Sequence, residues 1–395
     1  MRYRENAKNG EKISQLGLGC MRLPRKAGRI DQEKTNELVS AAIDGGVNYF
    51  DTAYIYPGSE EALGKALAND GRRADINIAT KLPHSMCAKP EDFDKFFKTH
   101  LERLRTEIID YYLIHMLSSV ESWERLKTLG IEQWLAKKRE QGEVRNVGFS
   151  FHGGRAAFLE ILEVYDWDFC LVQYNYFDEN NQAGKLGVKT ANEKGLSVFV
   201  MEPLRGGLLV NGLTEDAKQK FSDVNPERSL ADWALRWLYN QPEVTMTLSG
   251  MSAIEQLAEN LVTADDAEPD SLVAEELAAY GDVVSSLSGT VRVPCTACNY
   301  CMPCPKGVDI PACFSSYNSS YAFGLLSGIK QYVQVTGLST STHKDASKCV
   351  ACGSCEKHCT QGIKISAELV RVKRRMKSFA VRPAMSIGRG ILGMK

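Results

Sequence analysis

Apolar and polar positions alternate on two length scales through the first two thirds of the chain. Short runs dense in Val, Ile, Leu, Phe and Tyr occupy 16–21, 47–53, 76–82, 110–116, 144–150, 169–177, 196–204 and 244–250. Each is nearly continuous in apolar residues, as in a strand covered on both faces. Longer amphipathic stretches with helical periodicity lie between them, at Asp31–Asp44, Glu60–Ala68, Pro90–Leu104, Ser122–Gln141 and Asn225–Tyr239. Eight strands alternating with helices over about 250 residues predict α/β architecture and a closed (β/α)8 TIM barrel rather than an open doubly wound sheet. No G-x-G-x-x-G follows the first strand, which argues against a Rossmann domain.

Beyond the barrel the pattern changes. An acid-rich amphipathic segment over Asp265–Leu287 predicts a linker helix, and a second helical stretch runs from Pro311 to Gln334. Cys20, Cys87 and Cys170 are scattered, whereas the other nine of twelve cysteines fall between Cys295 and Cys359. That step in composition divides the chain into a barrel at 1–285, a small cysteine-rich domain at 286–375 and a basic tail at 376–395. The last 25 residues, from Arg371, hold eight Lys or Arg and no acidic residue. They suit a solvated tail, a strap over the small domain, or a docking site for an acidic redox partner.

A formal net charge of −1 over 395 residues gives no reason to expect nucleic acid or a membrane surface as partner. The polar N-terminus lacks the apolar core of a signal peptide, and no run has the length of a transmembrane span. The expected location is the cytoplasm. In that reducing setting clustered cysteines serve as metal ligands or redox groups more often than as disulfides.

Barrel chemistry sits where strands end, at the C-terminal face. Those positions hold Asp51 after the second strand with Tyr56 five residues on, Lys81 at the end of the third and His115 at the end of the fourth. Singly, Asp51 could cap a turn, Lys81 be a solvated charge and His115 a satisfied core residue. Their occurrence together at consecutive strand ends points to catalysis.

With "FDTAYIYPGSEEALG", these residues resemble the aldo-keto reductases over roughly 10–265. The resemblance implies reduction of a carbonyl (aldehyde, ketone or quinone) by hydride from NADP(H) or NAD(H), without metal. Tyr56 would be the general acid. A phenol with a pKa near ~10 is a weak acid at neutral pH, so an adjacent Lys81 ammonium, held by Asp51, would favour the phenolate and strengthen it. His115 would orient the carbonyl or share the proton. The resemblance also implies that Ser150 and Gln173 hold the nicotinamide carboxamide. Met201 stands where an aromatic commonly stacks on the ring. Pro203, Leu204 and Gly206, in "EPLRGG", match the pyrophosphate loop, and Gly250, Ser252, Gln256, Glu259 and Asn260 the loop and helix that grip the adenosine. Phe151 replaces an asparagine that often follows Ser150, with His152 beyond it. Gly250 and Gln256 stand where many members place Lys and Arg around the 2′-phosphate, which leaves NADPH or NADH open.

"CVACGSCEKHC" has the ligand spacing of a bacterial ferredoxin run, and "CTACNYCMPCP" keeps the closing proline with a last gap one residue shorter. Zinc is the alternative, but it takes two cysteines from each of two loops and leaves the third consecutive one surplus. Over roughly 290–370 the chain resembles dicluster ferredoxins, and as a whole the aldo-keto reductases that carry a C-terminal 4Fe-4S domain. The crossed pattern implied by that resemblance assigns Cys295, Cys298, Cys301 and Cys359 to one [4Fe-4S] cluster. Cys349, Cys352, Cys355 and Cys304 would hold the other, with Cys313 a substitute for Cys304.

Clusters pass single electrons while nicotinamide gives two, and no flavin motif is evident, although an added flavin would split the pair. Three readings stand. Clusters could relay electrons between a partner protein and the barrel. The barrel alone could catalyse, with clusters bracing the small domain or sensing oxygen. A catalytically silent electron-transfer or regulatory module is the third.

Overall fold

The structure, a computed structural model, describes residues 1–288, 292–295, 301–338, 343–359 and 362–376. Eight parallel strands close into a barrel: β1 (Leu16–Gly19), β2 (Tyr49–Asp51), β3 (Asn77–Leu82), β4 (Ile109–Ile114), β5 (Val144–Phe151), β6 (Phe169–Gln173), β7 (Ser197–Met201) and β8 (Val244–Ser249). β8 pairs with β1, Thr247 opposite Leu16, which completes the ring. Every expected strand is present. Their continuous apolar character comes from alternation between two dry environments. In β6, Phe169 and Leu171 point into the barrel with Tyr49, Tyr111 and Phe199, while Cys170 and Val172 face the outer helices.

Those helices are α1 (Gln32–Asp44), α2 (Ser59–Asp70), α3 (Glu91–Leu104), α4 (Val120–Thr128), α5 (Ile131–Glu140), α6 (Arg155–Ile161), α7 (Gly184–Glu193), α8 (Glu215–Val224), α9 (Leu230–Tyr239) and α10 (Ile254–Asp266). The single helix expected over Ser122–Gln141 is two, because Gly130 takes φ +83° between α4 and α5.

The expected linker helix differs more. Its first residues end α10, and α11 (Ala274–Ser288) begins after a break. α11 is no spacer: Tyr280, Val283 and Leu287 are buried in the barrel's outer core, and the Tyr280 hydroxyl donates to the Trp233 carbonyl at 2.7 Å.

A second core gathers Val293, Val308, Ile310, Phe314, Tyr332 and Leu369 among others. It is built by α12 (Ile310–Ala322), α13 (Leu325–Thr336) and α14 (Ile365–Met376). The stretch expected as one helix from Pro311 to Gln334 breaks at Gly324, φ +88°. Asp309 caps α12, accepting from the Ala312 amide at 3.1 Å, and Pro311 fills the first turn where no amide is needed. Arg375 of α14 lies 3.7 Å over the Tyr321 ring and donates to Ser320 Oγ at 2.6 Å. The start of the basic segment is thus packed; 377–395 lie outside the described residues.

Candidate active site

The loops after β5, β6 and β7 meet α12 and α13. Gln334 Nε2 lies 3.0 Å from His152 Nε2, and the rings of Phe177 and Phe323 meet edge-on with centroids 4.8 Å apart. Loops after β1 to β4 instead carry the exposed side chains of Met21, Ile55, Met86 and Met116.

Between these halves stand the four strand-end residues. Thr52 Oγ1 and Ser59 Oγ are 2.8 Å apart, and Ser59 donates to the Cys20 carbonyl at 2.8 Å, which ties the Tyr56 loop to the end of β1. Lys81 Nζ donates to Asp51 Oδ1 at 2.5 Å and to the Thr52 carbonyl at 2.6 Å; both side chains are buried. The ammonium lies 5.4 Å from the centre of the Tyr56 ring, and the His115 ring stands edge-on to that ring at 6.0 Å. No described protein group hydrogen-bonds the Tyr56 hydroxyl.

Electrostatics modify the expected roles. Burial holds the Asp51 carboxyl above its ordinary value although Lys81 pulls it down. Burial, with the Lys81 charge nearby, pushes His115 well below the ordinary imidazole range, so it is neutral at pH 7. Tyr56 reverses an expectation. Its surroundings raise the phenol, first by desolvation and then through Asp51 and Glu202. Lys81, paired with Asp51, does not outweigh that rise, although Tyr56 keeps partial exposure to water at the mouth.

The carboxamide candidates form a donor and an acceptor. Ser150 Oγ accepts from the Met116 amide at 2.8 Å, so its own hydrogen is available to donate. Gln173 Nε2 donates to Asp178 Oδ2 at 2.8 Å, and its Oε1 is buried with no partner. A carboxylate accepts only from the amide nitrogen, so the orientation of Gln173 is set. An amide-bearing ring satisfies both groups.

The other dinucleotide candidates divide. Met201, partly buried, packs on the inner core; Pro203 is buried, and the Leu204 carbonyl accepts from the Gly207 amide at 2.9 Å. Gly206 and Gly250 both lie against Arg22, which donates to the Gly206 carbonyl at 3.0 Å and has Cδ 3.5 Å from a Cβ placed on Gly250. Ser252 and Gln256 bond each other, 2.9 Å from amide to Oε1, and Glu259 accepts from Ser229. Asn260 turns inward and donates to Ser249 at the end of β8 at 3.0 Å, which makes it a brace. Sequence reasoning missed Arg22, a cation between the two loops, as well as Asp178, Arg205 and Gln334. Only the arginine inside "EPLRGG" carried a local signal.

Among the cysteines, Cys355 is pushed above its ordinary value by burial, with the Cys304 and Cys349 sulfurs close enough to add to the rise. Cys349 Sγ accepts from the Ala351 amide at 3.4 Å. A cleft of about 260 Å³ separates Cys301 and Pro305 from Cys355 and His358. Cys295 and Cys359 are partly buried beside this core, Cys352 is exposed, and Cys298 lies outside the described residues. Among the described residues no three His, Cys, Asp or Glu side chains converge tightly enough to hold a metal ion. Cys313 is fully buried in this core beside Tyr332, with Asp309 and Asp345 close enough to raise its thiol further, a setting that suits a packed core side chain.

The family model described as the aldo/keto reductase family matches residues 15–275. The chain belongs to the aldo/keto reductase family. A second model, a 4Fe-4S dicluster domain, matches 294–363. Curated relatives of this reductase include the uncharacterized oxidoreductase YqkF of Bacillus subtilis, 28% identical over 67% of this chain and 92% of its own. The aldo-keto reductase yakc [NADP(+)] of Schizosaccharomyces pombe is 27% identical over 71% and 81%. Among solved structures, the holo form of aldo-keto reductase AKR11C1 from Bacillus halodurans is 25% identical, with a TM-score of 0.58 over 72% of this chain and 96% of that one. The chain is an oxidoreductase of this family with an iron–sulfur domain appended, and no helix among the described residues is long and apolar enough to cross a membrane.

Proposed function

We propose that the protein reduces a small aldehyde, ketone or quinone with a nicotinamide dinucleotide, Tyr56 giving the proton to the carbonyl oxygen. The observation that carries this reading is the buried Lys81–Asp51 pair against the Tyr56 ring, with neutral His115 edge-on to it. A bound reduced dinucleotide would supply hydride to the carbonyl carbon. His115, uncharged, orients the carbonyl oxygen toward the phenol. Lys81 compensates the negative charge that Tyr56 acquires as its proton leaves, and Asp51 keeps that ammonium in register. Ser150 donates to the carboxamide oxygen and Gln173 Oε1 accepts from its nitrogen; Arg22 faces the pyrophosphate. The exposed Met21, Ile55, Met86 and Met116 favour a substrate with an apolar body.

In the C-terminal segment, Cys295, Cys298, Cys301 and Cys359 would hold one [4Fe-4S] cluster and Cys349, Cys352, Cys355 and Cys304 the other. The proximity of Cys355 to Cys304 and Cys349 supports this crossing. Such clusters would carry single electrons. The contacts of α12 and α13 with the barrel mouth favour coupling of the two halves over clusters that merely brace. The test is an anaerobic spectrum with and without NADPH or NADH, followed by assay of aldehyde and quinone reduction by wild type and Tyr56→Phe. Reduction that needs Tyr56 is expected. Failure of both dinucleotides to bind overturns the assignment.

A further inference from the structure

The loop after β7 is strained where it meets the iron–sulfur segment. Glu202 and Arg205 hold φ of +57° and +50°, a region non-glycine residues rarely occupy, followed by Gly206 and Gly207 at +70° and +92°. Such outliers persist only where surrounding contacts over-determine them, and those of Arg205 come from both halves. From the barrel, Asp178 Oδ2 accepts from Nε at 2.7 Å. From the C-terminal helices, Ser319 Oγ and Gln331 Oε1 accept from Nη2 at 2.7 and 2.8 Å. Phe177 of the barrel and Phe323 beyond α12 flank the guanidinium at 5.0 and 4.7 Å. Arg205 and Asp178 are both buried.

The same Asp178 oxygen accepts from Gln173 Nε2. One carboxylate oxygen therefore joins the residue facing the carboxamide to an arginine whose other side-chain hydrogen bonds go to the iron–sulfur segment. We propose that Arg205 is a positioning residue: docking of α12 and α13 holds it on Asp178, and Asp178 in turn fixes Gln173 with Oε1 toward the nicotinamide amide. The inference rests on the dinucleotide reading above. When Ser319 and Gln331 no longer hold the guanidinium, Arg205 leaves Asp178 to Asn175 and Asn181, the carboxylate can rotate away from Gln173 Nε2, and the Gln173 amide loses the partner that sets its orientation. By linkage, dinucleotide binding tightens the docking of the C-terminal helices to the same degree.

The test compares binding of NADP(H), or NAD(H) if that is the form bound, with its 3-acetylpyridine analogue. The analogue keeps the carbonyl and lacks the amide hydrogens that Gln173 Oε1 accepts. Anaerobically purified full-length wild type should prefer the carboxamide, and Gln173→Leu should lose that preference. Arg205→Lys, and Ser319→Ala with Gln331→Ala in the other half of the molecule, should each cut it about tenfold, the size of one charged hydrogen bond. A general loss of packing would weaken both ligands equally and leave the ratio alone. If Gln173→Leu loses the preference while the interface variants keep it, the coupling is wrong and the nicotinamide site stands. If Gln173→Leu also keeps it, the nicotinamide site is wrong, and the relay with it.

Discussion

Replacing Lys81 by Met strands Asp51 in a buried site, and the cost can be worked from the geometry. At 2.5 Å and an effective dielectric constant near 20, the attraction of the pair is roughly 7 kcal/mol. Much of it offsets lost hydration, yet removing one partner of a buried pair typically costs about 3–5 kcal/mol. Asp51 has an escape, which is to bind a proton. Relative to the reference carboxyl at 3.8, protonation costs about 4 kcal/mol at pH 7 and about 1.5 kcal/mol at pH 5. The loss in Lys81→Met is therefore capped near those values and shrinks as the solution is acidified. A carboxyl whose folded pKa lies above its unfolded one binds its proton more tightly when folded, so the variant gains stability as pH falls through that raised value. Anaerobic urea unfolding followed by tryptophan fluorescence at pH 5, 6 and 7 measures this, with Lys81→Met/Asp51→Asn as the partner variant expected to recover most of the loss. A deficit below about 1 kcal/mol at pH 7, or one that does not narrow by pH 5, would refute the view of Asp51 and Lys81 as a desolvated pair.

Three other outcomes follow from the structure. Tyr56→Phe should lose about 10²–10⁴ in kcat with unchanged dinucleotide affinity, and because the phenol is raised, the wild-type rate should show no alkaline fall attributable to Tyr56 below the ordinary phenol value of about 10; a fall centred near pH 8 that Tyr56→Phe abolishes would restore the ammonium-acidified phenol. His84 is held neutral with its pKa lowered to about 4 by burial and by Arg125, so stability is lost as pH falls below the unfolded value of about 6.5, by about 2 kcal/mol at pH 5; urea midpoints of His84→Gln that keep the full wild-type slope would contradict this. Cys355→Ser should lower iron and acid-labile sulfide, whereas Cys313→Ala should keep both and lose only core stability; equal iron loss in the two would return Cys313 to the ligand set.

The strands were legible because a barrel strand buried on both faces leaves an unbroken apolar signature, and all eight runs are found as strands. Two continuous periodic stretches are each two helices, because one glycine at positive φ ends a turn without altering the periodicity around it, at Gly130 and at Gly324. Asp51, Lys81 and His115 were legible from their strand-end positions, whereas Tyr56 was singled out by the motif spacing that resembles the family. The state of Tyr56 was not legible: the residue pattern names Lys81 and its partner Asp51, but the burial that outweighs the ammonium exists only once the chain is folded. Asn260 shows the converse, a residue matched to ligand contact whose amide is turned to Ser249.

The division of the barrel mouth bears on why an iron–sulfur segment is carried at all. Several curated relatives cover 66–71% of this chain, and the family model ends at residue 275, before the C-terminal helices begin at Ile310. They touch the loops after β5, β6 and β7, where Gln173 and Arg205 lie, and leave the loops after β1 to β4 with exposed apolar side chains. A brace could rest anywhere on the outer helices. Placement against the loops that carry the dinucleotide candidates is what the proposed relay requires: the fit of the segment would then be a variable in nicotinamide binding, with the loops after β1 to β4 left open. Any change in the segment that shifts α12 or α13 by a fraction of a hydrogen-bond length is then felt first at Arg205, whose buried Nη1 has no partner among the described residues to compensate.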